Sequence, residues 1–178
     1  MFSYNVAELL RSAPGTSRVY PVSVADLAIA DDITLVAPIE GEVKLQRTGD
    51  SILASARLNT VVAETCSRCL APTSAPIEVT ITEEALPSVD IDSGLAIEMG
   101  AERDAIRLDG HHELHLAPAV RDAISLAEPF AVLCRPDCRG LCLTCGVDLN
   151  LDPTHRHADD DIDPRLAGLA ALRDQLAG

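Results

Sequence analysis

Residues 133–150 read L-C-R-P-D-C-R-G-L-C-L-T-C-G-V-D-L-N and hold four of the chain's six cysteines, Cys134, Cys138, Cys142 and Cys145, within twelve positions. Thiols packed this densely serve metal ligation, disulfides or redox chemistry, and little else. Cys142 and Cys145 are separated by two residues and followed by Gly146, the form of a zinc knuckle. Its two thiolates point the same way and the glycine lets the backbone turn beneath the ion. Cys134 and Cys138, with Pro136 and Gly140 turning the chain around them, can supply the other two corners of a tetrahedron.

The remaining cysteines form a second knuckle-like pair, Cys66-Ser67-Arg68-Cys69. The ligand set therefore stays open between two arrangements. In one, Cys134, Cys138, Cys142 and Cys145 close a local site, the arrangement favoured by the smaller entropy of closing short loops. In the other, Cys66 and Cys69 join a late pair, as the two knuckles of a zinc ribbon do. His155 and His157 are alternates for one corner. His111, His112 and His115, in a loop after Gly110, are weaker candidates. Zinc is expected over iron because the knuckle form is present and a ferredoxin spacing is not. The plainest reading of Cys66 and Cys69 is two small buried residues at a strand turn.

With 178 residues, no Trp, two Phe and two Tyr, the chain can build one aliphatic core and a small metal-stapled appendage. The sequence predicts neither a secretory signal nor a membrane span, and hence a cytoplasmic location. Disulfides rarely persist there, which leaves metal ligands or redox thiols. A net charge of −14 excludes non-specific coating of nucleic acid, since Lys and Arg supply most of that affinity. Any RNA contact must be local, and Arg68, Arg135 and Arg139 beside the cysteines are the candidates. The same arginines can instead offset thiolate charge.

Period-two alternation rich in Val, Ile and Thr predicts strands over 39–47, 52–64 and 77–84. Gly49-Asp50 marks the first reversal, and the second, over 65–76, carries Cys66 and Cys69. Ile77, Val79 and Ile81 are expected to face the core and Glu78, Thr80 and Thr82 the solvent. Residues 83–104 read as a solvated acidic excursion with a strand at its far end. An amphipathic helix is expected over 116–127, with Pro118 in its first turn and Val120, Ala123, Ile124 and Ala127 on one face. Asp163 and Pro164 open a last helix over 165–176. The expected fold is α+β: an antiparallel sheet with a CxxC hairpin turn, a packing helix, a cysteine-rich zinc-binding loop and a short C-terminal helix. Residues 1–133 form the sheet part and 134–178 the metal-binding part, both expected within one structural unit.

Together these pieces resemble the YceD-like family of large ribosomal RNA subunit accumulation proteins. The resemblance is carried by T-C-S-R-C-L at 65–70, E-P-F-A-V-L-C at 128–134, D-C-R-G-L-C-L-T-C-G-V-D-L-N at 137–150 and D-P-R-L-A-G-L-A-A-L at 163–172. It implies a non-enzymatic role in large-subunit biogenesis, promoting processing or accumulation of 23S ribosomal RNA, with precursor RNA or a large-subunit ribosomal protein as partner. Two other classes follow from the residues. An acidic adaptor would attract a basic ribosomal protein or an assembly GTPase by long-range steering. A thiol oxidoreductase would use Cys66 and Cys69, but such motifs open a helix and here the flanks read as strands.

Overall fold

The computed structural model describes residues 2–98, 105–157 and Leu169. The chain is α+β and divides into two compact units, Met1–Cys134 and Arg135–Gly178. In the first unit the elements run β1 (Ser3–Asn5), α1 (Ala7–Leu10), β2 (Ser17–Val24), β3 (Ile39–Thr48), β4 (Ser51–Thr65), β5 (Pro72–Leu86), β6 (Ile106–Arg107), β7 (Glu113–His115) and α2 (Ala117–Ala127). Strands β2-β3-β4-β5-β6 form one sheet in that order, and β1 and β7 form a two-stranded sheet. All pairings are antiparallel except β5 with β6.

Alternation builds the sheet. Along β5, Ala75, Ile77, Val79 and Ile81 are buried while Glu78, Thr80 and Thr82 are exposed, because successive side chains leave a strand on opposite faces. Ile39, Val43, Leu45, Ile52 and Leu58 bring the buried face of β3 and β4 to the same core. Each such side chain withdrawn from water contributes roughly 1.5–3 kcal/mol. Helix α2 packs on β5 through Val120 and Ile124, both fully buried, with Pro at the start of its first turn. Among the described residues no helix is long and apolar enough to cross a membrane.

Two strands differ from the sequence reading, for one reason. Strand β2 contains Pro21 and β5 begins at Pro72 and runs through Pro76, where proline suggests a break. Proline removes a donor, which is tolerable on an edge. Strand β2 is the sheet edge, and β6 covers β5 only at Ala85 and Leu86, so Pro76 lies on a stretch of β5 paired with β4 alone. The acidic segment is compact as far as it is described: Val89 bridges Ala96, and Asp90 Oδ1 accepts from the Ser93 amide at 2.7 Å and its hydroxyl at 2.6 Å. The helix expected over 165–176 lies outside the described residues apart from Leu169.

One feature of this sheet positions the thiols. Strands β4 and β5 each have fifteen residues, and β3 stops pairing with β4 at Asn59. The hairpin therefore continues for six residues past the last partner in β3, to the Thr65–Pro72 pair. The preceding loop covers this extension: Val36 donates to the Val61 carbonyl, Ala63 to the Thr34 carbonyl, and the buried Thr60 hydroxyl to the Ala37 carbonyl.

Candidate metal centre

At the far end of the hairpin the backbone of 66–71 makes a closed loop. The Cys66 amide donates to the Ala71 carbonyl at 2.9 Å, and the Leu70 amide returns to the Cys66 carbonyl at 2.9 Å. Leu70 adopts φ +59°, a left-handed conformation seldom taken by leucine. The loop thereby holds both cysteines on one side. Backbone N–H groups of Cys69 and Cys134 directed at the Cys66 sulfur stabilise its anion and lower the thiol pKa to about 6. Its side chain is nonetheless fully buried. A thiolate prepared in this way suits metal ligation, which requires the deprotonated sulfur.

Cys134 reaches this loop through a strap invisible in the sequence. The amide and the hydroxyl of Ser67 both donate to the Val132 carbonyl, at 2.8 and 3.1 Å. Two residues further on, Cys134 Sγ stands 3.6 Å from Cys69 Sγ. Cys66, Cys69 and Cys134 each offer a sulfur within 4.8 Å of the others. A disulfide has sulfurs about 2.05 Å apart, and the six cysteines form none. Sulfurs around a tetrahedral zinc lie about 3.8 Å apart, given bonds of about 2.3 Å. The 3.6 Å separation matches the edge of a coordination polyhedron, so these thiols can bind a metal.

The second unit repeats the same loop. The Cys142 amide donates to the Val147 carbonyl at 2.8 Å and the Gly146 amide returns to the Cys142 carbonyl at 2.8 Å, with Gly146 at φ +75°. Leu141 bridges Asp148 at its base. Amides of Cys145 and Thr144, with His157, lower the Cys142 pKa to about 6. Cys142 Sγ lies 3.2 Å from His157 Nε2, and Cys145 Sγ lies 3.2 Å from His155 Nε2. Earlier in the unit Cys138 is 1% exposed, and its sulfur accepts from Asn150 Nδ2 at 3.6 Å. Asn150 Oδ1 accepts the Arg139 amide at 2.8 Å, so one side chain organises this turn.

Of the four late cysteines, then, Cys134 stands with Cys66 and Cys69 in the first unit, while in the second Cys138 is held by Asn150 and Cys142 and Cys145 stand with His155 and His157. Arg68 is exposed on the Cys66 loop. Arg135 pairs with Asp137 at 3.5 Å, and Arg139 donates to the Pro153 carbonyl at 3.2 Å. His115 lies near Asp109 and Glu113, a third set of candidate ligands. Asp109 is already engaged there: it accepts the amides of His111 and Glu113, each at 2.8 Å, and ties the turn into β7. Sequence reasoning missed Ser67 and Asn150, whose roles depend on partners distant in the chain.

The fold and its thiols define an α+β protein with two cysteine knuckles that could hold a metal ion, one at the end of a long hairpin and one in a cysteine- and histidine-bearing unit. Residues 54–173 match the family of large ribosomal RNA subunit accumulation proteins, YceD, and the chain belongs to that family. It is similar to an uncharacterized protein of Mycobacterium tuberculosis, 33% identical over 137 residues, covering 76% of this chain and 62% of that protein. An uncharacterized protein of Mycobacterium leprae is 31% identical over 142 residues, covering 79% of this chain and 60% of its own length. The large ribosomal RNA subunit accumulation protein YCED homolog 1, chloroplastic, of Zea mays is 28% identical over 135 residues, covering 64% and 46%. The chain thus spans less than two thirds of the length of these curated relatives. No solved structure matches it.

Proposed function

We propose that the protein is a non-catalytic, cytoplasmic factor in the accumulation of large-subunit ribosomal RNA, and that a zinc ion bound by Cys66, Cys69 and Cys134 shapes its docking end. Membership of the YceD family supports the ribosomal role. The observation that carries the zinc reading is the convergence of three thiols, 3.6 Å apart at Cys69 and Cys134, where the hairpin ends. An all-thiolate set is soft and suits tetrahedral zinc, whose role there is structural.

The first loop joins antiparallel strands, so Cys66 lacks the helix N-terminus on which CxxC oxidoreductases rely, and this supports ligation over redox turnover. Arg68, Arg135 and Arg139, beside the cysteines, are the candidate contacts for a precursor-RNA phosphate. The charge of −14 favours a second reading, an adaptor steering a basic ribosomal protein.

The test replaces the chromosomal copy with Cys66→Ser/Cys69→Ser and measures bound zinc and mature large-subunit RNA. Loss of both is expected, and normal RNA with zinc lost would refute the link. Arg68→Ala/Arg135→Ala/Arg139→Ala should weaken precursor-RNA binding with zinc retained. Association that survives nuclease but weakens with salt would favour the adaptor instead.

A further inference from the structure

We infer that the second unit holds a metal ion of its own, in a Cys2His2 site made by Cys142, Cys145, His155 and His157. The site is independent of the one proposed above, and one chain accordingly carries two ions.

Three observations converge on it. The first is geometric: all four ligand atoms lie within 4.8 Å of one another, two S–N edges are 3.2 Å, and the His155 and His157 Nε2 atoms are 3.0 Å apart. A tetrahedral zinc with two sulfur and two nitrogen ligands has edges of about 3.3–3.8 Å, so the donors already approach the required separation. The second is chemical. Two imidazoles that both present Nε2 to the same point and to two sulfurs have more lone pairs there than protons to share among them. A cation at the centre satisfies all four at once. The rings meet edge to face at 86°, so each can aim its nitrogen inward without stacking on the other.

The third observation is the burial of the unit's described residues. Among its described residues only Cys138 and Gly140 are buried, while Leu143, Val147 and Leu151 are exposed. A short segment whose described residues bury no aliphatic side chain draws little stability from burial there, and small structures of this kind depend on a metal or cross-link. Yet its backbone is ordered around the knuckle, and Asp152 accepts from the Thr154 amide and hydroxyl, setting the turn that brings His155 back towards Cys145. Around the knuckle the ion supplies the cross-link, and binding is coupled to folding.

Both thiols ligate as thiolates and both histidines as neutral imidazoles. Tetrahedral coordination by two sulfurs and two nitrogens selects zinc, or cobalt as its spectroscopic substitute, over magnesium or calcium.

The experiment uses the full chain, reduced, loaded with zinc and dialysed, with ions per chain counted by elemental analysis. Wild type is expected to hold two, and Cys66→Ser/Cys69→Ser and His155→Ala/His157→Ala one each. If the histidine variant holds as many ions as wild type, the second site is refuted. If wild type holds a single ion that Cys66→Ser/Cys69→Ser removes, the second site is refuted and the first stands. If that single ion is removed only by the histidine variant, the first site is refuted and the second stands. Wild type without metal refutes both. Because His155→Ala/His157→Ala can unfold its unit, His157→Cys is read in parallel with cobalt. It should keep the ion and raise the thiolate-to-cobalt absorption, and an unchanged spectrum at the same stoichiometry overturns the assignment.

Discussion

Leu70, at φ +59°, takes after Cys69 the backbone conformation that Gly146, at φ +75°, takes after Cys145. Each residue's amide returns to the carbonyl of the first cysteine of its pair, at 2.9 and 2.8 Å. The two loops are therefore one device built on different residues. Glycine enters this region freely, whereas a residue with a Cβ is strained there by about 1–2 kcal/mol. Leu70 is largely exposed and recovers little of that by packing.

Leu70→Gly is accordingly expected to raise stability by up to about 1 kcal/mol, the relief of strain less the entropy a glycine loses on folding. The urea midpoint of the zinc-loaded protein measures it. A lower midpoint would show that the leucine side chain, and not its backbone angle, matters. Gly146→Ala should act in the opposite sense by about 1 kcal/mol, because nothing crowds its missing Cβ and only the positive φ is penalised.

Gly41 has a different reason to be glycine. It pairs with Leu58 in the middle of β3 and β4, and a Cβ there would stand 2.0 Å from the Arg57 carbonyl oxygen. Gly41→Ala must push two strands apart and is expected to destabilise the first unit by about 1–3 kcal/mol, measured by chemical denaturation.

Ile124 fixes α2 against β5 and is fully buried. Ile124→Ala should lower stability by about 2–5 kcal/mol. Zinc retention at Cys66, Cys69 and Cys134 is expected to survive in the folded fraction, because the Ser67 strap to Val132 holds Cys134 separately.

Weakening the strap should do the reverse. Ser67→Ala deletes one of two hydrogen bonds to the Val132 carbonyl, and the expected loss is about 0.5–1.5 kcal/mol. A competition titration against a zinc chelator should show faster or more complete release than from wild type. Equal retention would show that the Ser67 amide alone suffices.

Asp109 gives a pH dependence with a definite sign. The Glu113 amide, followed by the His111 amide and His115, holds its carboxyl below the ordinary carboxylate range. A depressed pKa contributes stability that is full above the unfolded value, about 3.9, and is lost as pH falls through the folded value. Wild type should therefore exceed Asp109→Ala in stability at neutral pH, and the gap should close below about pH 4. A gap that is constant with pH would mean that the carboxylate charge has no part in it.

Much of the sheet was legible because burial imposes a period. The alternation from Ile77 to Ile81 gave the facing of β5, and Val120 and Ile124 gave the buried stripe of α2. Strand β2 and the start of β5 were not legible, since Pro21, Pro72 and Pro76 argue locally against strands and only the finished sheet shows which edges lack a neighbour. At the candidate site the CxxC pairs and their candidate companions Cys134, His155 and His157 were legible, but which stands with which was not. Cys134 is brought to Cys69 by the Ser67–Val132 strap, a contact over 65 positions. His155 and His157, alternates for one corner in the sequence, are assigned to Cys142 and Cys145 only by the turn at Asp152 that brings them back to the knuckle.

The prolines of β2 and β5 also act beyond the single molecule. A strand with a complete row of outward amides can recruit an identical strand from a neighbour and polymerise. Pro21 on β2 and Pro76 on the open stretch of β5 interrupt that row where the sheet is least covered. A chain rich in Val and Ile on long strands is thereby kept from fibrillar self-templating while it is being made and folded.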